Sequence, residues 1–168
     1  MNIIIAVASK HGSTTEIAQT IAFELRQAGH IVAVCPAKHV HSIEAYDAAI
    51  IGSAVYMGRW LPEARQFVAE HQDSLSTKLV WLFSSGPVGA KDSEKDGEPV
   101  ELDKLLQQTN AREHKVFDGN LNKDSLGFTE KLVIKAVGAP YGDFRPWPEI
   151  QMWASEIVEE LASVPVTV

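Results

Sequence analysis

The stretch Ile3-Ile4-Ile5-Ala6-Val7-Ala8-Ser9-Lys10-His11-Gly12-Ser13-Thr14-Thr15-Glu16 decides how the rest of the chain is read. The run Ile3–Ala8 is apolar and weighted towards β-branched residues, the pattern of a strand buried on both faces. Beyond the stretch, Ile17, Ala18, Ile21, Ala22 and Leu25 recur at helical spacing, and Gly29 stands where such a helix would stop. Ser9 to Glu16 is therefore a strand-to-helix turn of small hydroxyl residues around Gly12. Such a turn points backbone N–H groups and hydroxyls at one spot on the positive end of a helix dipole, which suits a phosphate. The same residue types also cap helices with no ligand present, so cap and cradle both remain open on the motif alone. There is no Gly-x-Gly-x-x-Gly for a dinucleotide and no Gly-Lys-Ser/Thr ending for a nucleoside triphosphate.

Length and charge narrow the field further. At 168 residues the expectation is a single domain, 1–168, with a substantial core. A composition of 45% hydrophobic and 22% charged residues is that of a globular protein, not of a disordered or fibrous one. The net charge of −7, without a basic cluster, argues against a nucleic-acid partner, whose affinity comes mainly from neutralised phosphates. The single cysteine, Cys35, cannot form an intramolecular disulfide and falls in an apolar run, so it reads as an inert core residue. One cysteine, no signal peptide and no long uncharged apolar stretch point to the cytoplasm.

Along the chain, Ile31–Cys35 is a second strand and Tyr46–Ser53 a third. A helix follows from about Leu61 to Leu75, with Pro62 in its first turn. Leu79–Ser84 is a fourth strand, Glu101–Gln108 a short helix, Lys115–Gly119 a fifth strand and Glu149–Ala162 a final helix. Short apolar strands alternating with helices make a parallel, doubly wound α/β sheet. Ligands of such sheets lie beyond the carboxyl ends of the strands, where strand order reverses. With order 2-1-3-4-5, the turns Ser9–Thr15, Ser53–Trp60 and Ser84–Gly89 converge on one crevice.

Other segments carry two readings each. His39 and His41 have a metal-like spacing but no third ligand near them, so no metal is expected. The polar segment Ala90–Pro99 is either a plain surface excursion or a lid or docking surface for a partner. Lys123–Gly138 carries an apolar stripe with Lys131 and Lys135 one turn apart. It packs on the core or touches a membrane surface, and the membrane contact would be peripheral at most. Ala139–Pro148 reads as a structured turn. A phospho-receiver module would need acidic residues where Ser9 and Ser53 stand.

Ser9-x-x-Gly12-x-Thr14 resembles the FMN-phosphate loop of flavodoxins, usually Ser/Thr-x-Thr-Gly-x-Thr. With Ile50–Gly58 and, more weakly, Lys131–Gly138, it resembles the flavodoxin-domain family related to menaquinone-dependent protoporphyrinogen oxidase. The resemblance implies a flavodoxin-like three-layer sandwich and FMN as cofactor. It implies that Ser9, Ser13, Thr14 and Thr15, with the amides of Gly12 and its neighbours, hold the phosphate. Lys10 and His11 depart from the usual loop, and Lys10 either touches the phosphate or points to water. An isoalloxazine ring would lie along Ser53, Ala54, Val55, Tyr56, Met57, Gly58 and Trp60, stacking on Tyr56 or Trp60. The alternative for both aromatics is to cap the core beneath the following helix. Met57-Gly58 resembles the pair whose glycine peptide can flip towards N5 of the ring. Ser84, Ser85, Gly86, Pro87 and Val88 would also bind the cofactor, with the ring edge near Tyr56, Trp60 and Ser85–Val88 facing the partner.

No nucleophile elbow, zinc-type set or carboxylate dyad is present, so no side chain is expected to be catalytic and the chemistry would be the cofactor's. Three functions remain open. The first is an FMN redox protein exchanging electrons at low potential with a protein or quinone partner. The second is an FMN-dependent protoporphyrinogen oxidase, and the third is a non-redox binding module.

Overall fold

The computed structural model describes residues 1–86, 98–122, 124, 127, 131, 135 and 141–164. β1 (Asn2–Ala8) leads through the Ser9–Gly12 loop into α1 (Ser13–Gln27), which returns to β2 (Ile31–Pro36). β3 (Ala48–Tyr56) folds back on itself as the two-residue β4 (Arg59–Trp60) and enters α2 (Pro62–Leu75). β5 (Leu79–Ser85), α3 (Leu102–Thr109) and β6 (Glu113–Phe117) follow. β7 (Asn120–Leu121) and β8 (Gly142–Asp143) form a separate antiparallel pair, and α4 (Trp147–Ser163) closes the described chain.

The main sheet runs β2-β1-β3-β5-β6 with every neighbouring pair parallel, and β4 hangs antiparallel on β3. The five parallel strands thus have the expected order. β1 explains why the sheet is covered on both sides. Ile3, Ile5 and Val7 belong to the core cluster under α1 and α4, while Ile4, Ala6 and Ala8 belong to the cluster under α2 and α3. From Ile3 to Ala8 every position of β1 is apolar and buried, which leaves no face for water, so helices must pack on each side.

Three elements, the third strand, the fifth strand and the final helix, differ from expectation by two residues or more in their bounds. The third strand runs on past Ser53 to Tyr56, because a hairpin with β4 gives its last residues a partner. The fifth parallel strand begins two residues early at Glu113, where the register against β5 starts with Trp81 opposite Glu113. The final helix starts at Trp147 behind Pro146, with Pro148 in its tolerated first turn. Most of the expected helix 123–138, and residues 90–97 of the polar segment, lie outside the described residues, as do residues 139 and 140 of the expected turn.

Candidate functional site

The carboxyl ends of β1, β3 and β5 lie side by side. Ala8 is level with Ser53, Ser53 with Ser84, and Ala54 with Ser85. The strand order reverses at β1, where the chain goes first to β2 on one side and then across to β3 on the other. That is where a doubly wound sheet opens a crevice.

The first loop is open at its top. Gly12 takes a left-handed conformation, φ 87°, which an L side chain rarely adopts, and a Cβ built there meets no atom within 4 Å. Among the described residues, nothing beyond the chain neighbours crowds that position. Gly12 is the N-cap of α1, and no side chain caps the helix, so the amides of its first turn stay available. Ser9 Oγ accepts the Gly12 N–H at 3.1 Å, and Ser13 Oγ accepts the Asn120 N–H at 3.3 Å. Each hydroxyl oxygen is thus fixed by an incoming N–H, and a hydroxyl that accepts one bond also has a proton to donate. Thr14 is buried beneath the turn and Thr15 is half-buried beside it, while Lys10 and His11 are exposed. The Lys10 ammonium lies 4.8 Å from the centre of the Tyr56 ring, a cation–π contact that ties the first loop to the second.

The second turn is a tight hairpin. Met57 (φ 49°) and Gly58 (φ 72°) both have positive φ, the requirement of a type I′ turn between two strands. Antiparallel partners point to the same face of a ribbon, so Val55 opposite Trp60 sends the Trp60 indole towards α2, while Tyr56 and Arg59 face outward. Trp60 is 1% exposed and Tyr56 37%, with Met57 wholly exposed at the tip. The two aromatics therefore part company: Tyr56 borders the crevice, and Trp60 is a core residue that has no face left to stack on a ligand.

Two of the expected hydroxyls are likewise engaged inside. Ser53 Oγ accepts the Leu61 N–H at 2.9 Å and donates to the Ala54 carbonyl. Ser84 Oγ accepts the Trp60 Nε1–H at 2.8 Å and lies 2.8 Å from His114 Nε2. The serine oxygen takes the indole proton and can still either donate to or accept from His114 Nε2, according to the tautomer of the ring. Burial lowers the His114 imidazole to about 4, so the ring stays neutral around pH 7. The hairpin is further held by the Val100 N–H on the Gly58 carbonyl at 2.8 Å and by Glu101, which accepts the Trp60 N–H at 3.1 Å. Ala54 and Val55 precede Tyr56 at the end of β3. Ser85 ends β5, and the N–H of the following Gly86 donates to the Phe117 carbonyl. Pro87 and Val88 lie outside the described residues.

Two contributors were not anticipated. Asn120, on β7, orients the Ser13 hydroxyl. Arg145, beyond β8, forks onto Asp143 at 2.8 and 2.7 Å, donates to Glu16 on α1, and reaches the Ser13 carbonyl at 3.4 Å. The fork holds the Asp143 carboxyl below the usual carboxylate range. Among the described residues, no three His, Cys, Asp or Glu side chains gather as a metal site, and no helix is long and apolar enough to cross a membrane.

Comparison with known proteins agrees with this geometry. A family model described as Flavodoxin domain matches residues 4–144. Flavodoxin 1 from Bacillus cereus is 19% identical, with a TM-score of 0.64 over 95% of this chain and 98% of that one. The flavodoxin of Streptococcus pneumoniae TIGR4 is 21% identical, with a TM-score of 0.66 over 95% of this chain and 99% of that one. Rubredoxin oxygen:oxidoreductase from Desulfovibrio gigas is 18% identical, with a TM-score of 0.63 over 96% of this chain, which spans only 36% of that protein's length. At such identities the structural likenesses speak for the fold. No curated protein matches the chain in sequence. The family match covers the sheet and the loops at its carboxyl edge, and the chain belongs to the flavodoxin domain family.

Proposed function

We propose that this chain binds FMN at the carboxyl ends of β1, β3 and β5 and serves as an electron carrier for a protein or quinone partner. The observation that carries the reading is the Ser9–Ser13 loop, where α1 starts with no side-chain cap, no described residue crowds a Cβ on Gly12, and two serine oxygens are each fixed by a backbone N–H. A terminal phosphate needs such convergent donors and no counter-cation.

The amides of Ser13, Thr14 and Thr15, with the Ser9 and Ser13 hydroxyls, would hold the phosphate. Tyr56 offers an aromatic face and Met57 an apolar cover for a flat ring, and both are exposed at the hairpin tip. Trp60, Ser84 and His114 act from below. Their buried hydrogen bonds fix the hairpin so that Tyr56 and Gly58 keep their place at the crevice. Bound FMN would supply the redox chemistry, taking up and releasing electrons. The protein's contribution is to orient the ring, exclude water from one face and set the potential. With a net charge of −7, the surrounding field disfavours added negative charge and lowers that potential. Nothing among the described residues or the comparisons favours a porphyrinogen as substrate.

The test is reconstitution. Apo-protein freed of excess flavin after incubation with FMN should retain stoichiometric visible flavin bands. They should bleach with dithionite and return with a quinone or a one-electron protein carrier, the effective acceptor naming the partner class. Bands that never appear would overturn the reading. Bands that bleach but return with neither acceptor would leave FMN binding without the carrier role.

A further inference from the structure

Arg145 is a heavily engaged charged residue near the first loop. Its side chain is 5% exposed, and its guanidinium lies 4.4 Å from the centre of the Trp147 ring. A guanidinium has five N–H donors in a fixed fork. Here Nε and Nη2 go to the Asp143 carboxylate, and Nη1 serves both the Glu16 carboxylate and the Ser13 carbonyl. So engaged, it is not itself a phosphate ligand. It reaches the cradle only through Ser13 and Glu16.

Glu16 is the acidic residue in the first turn of α1. A helical side chain leans towards the helix N-terminus, so this carboxylate lies over the same turn whose amides face the crevice. In the absence of a ligand, an acid there is favoured by the helix dipole. Beside a phosphate dianion it is a like charge roughly one helical turn, about 5 Å, from the binding amides.

We propose that Arg145 is a positioning residue for the phosphate cradle. It neutralises and holds Glu16 so that α1 can present its first turn to a phosphomonoester, and its contact with the Ser13 carbonyl steadies that turn. The proposal rests on the FMN reading above. Because one guanidinium is shared by two carboxylates, Asp143 and Glu16, the shielding is incomplete.

Equilibrium titrations with FMN and with riboflavin, which has the ring but no phosphate, separate the possibilities. Arg145→Met should weaken FMN roughly tenfold and leave riboflavin unchanged, and the loss should shrink as salt is raised. Adding Glu16→Gln to that variant should return FMN affinity to within about twofold of wild type, since the unshielded charge is gone. Glu16→Gln alone should tighten FMN about threefold, and it serves as the test even where Arg145→Met fails to fold. Equal weakening of FMN and riboflavin in Arg145→Met, no rescue in the double variant, or no tightening in Glu16→Gln each overturns the proposal. A wild type that binds no FMN rejects the FMN reading itself and this proposal with it, a result distinct from any variant's failure.

Discussion

The two turns on either side of the crevice use similar residues in opposite ways. In the Ser9–Ser13 loop, the serine oxygens at both ends each accept a backbone N–H, at the uncapped start of α1. In the Ser53–Trp60 hairpin, both proton and lone pair of Ser53 are satisfied within the protein, and Trp60 with Ser84 completes a buried chain to His114. One turn is a binding surface and the other is mostly scaffold. The difference comes from the backbone. A left-handed Gly12 turns the first loop's donors outward, whereas the Met57-Gly58 hairpin reverses the chain so that alternate residues fall to opposite faces. A serine or tryptophan at a strand's carboxyl end is therefore not a ligand contact by location alone.

The comparison breaks most visibly at Trp60. Trp60→Ala should cost about 3–5 kcal/mol of stability in denaturant unfolding, because it empties a buried site and strips Ser84 of its donor. Tyr56→Ala should cost no more than about 1 kcal/mol in the same assay, the worth of the Lys10 contact, yet weaken FMN roughly tenfold. Equal stability costs at the two positions would contradict the scaffold and surface assignment.

His114 adds a pH signature to the scaffold side. The unfolded imidazole takes up its proton below the ordinary 6.5, while the folded one resists until about 4. In that window the native state binds fewer protons, so stability falls as pH drops and levels off below it, by about 3 kcal/mol in all. His114→Gln should remove that part of the slope between pH 6.5 and 5, read from unfolding midpoints; an unchanged slope would mean the ring is not held neutral.

On the binding side the effects on stability are smaller. Gly12→Ala meets open space, so its cost is the backbone's alone, about 1–2 kcal/mol, accompanied by weaker FMN but unchanged riboflavin binding. Lys10→Met should remove about 0.5–1 kcal/mol of cation–π stabilisation, and the loss should vanish in a Tyr56→Leu background.

How much was legible follows from the same physics. β1, its loop and α1 could be read because a two-face apolar strand followed by a 3.6-residue period has few alternatives, and the parallel order followed. β4, β7 and β8 are two residues each, too short to show any period. Without β4, nothing in the sequence says that Trp60 turns inward while Tyr56 does not, since an aromatic before a helix fits either face. Arg145 and Glu16 are 129 positions apart, so their pairing belongs to the fold and leaves no local pattern.

The central claim is that the Ser9–Ser13 loop recognises a phosphate. Parallel titrations of apo-protein with FMN and riboflavin, followed by quenching of flavin fluorescence, test it directly. The account predicts stoichiometric binding of FMN, with riboflavin weaker by two orders of magnitude or so, as loss of several charge-assisted hydrogen bonds requires. Equal affinity for the two flavins would contradict it.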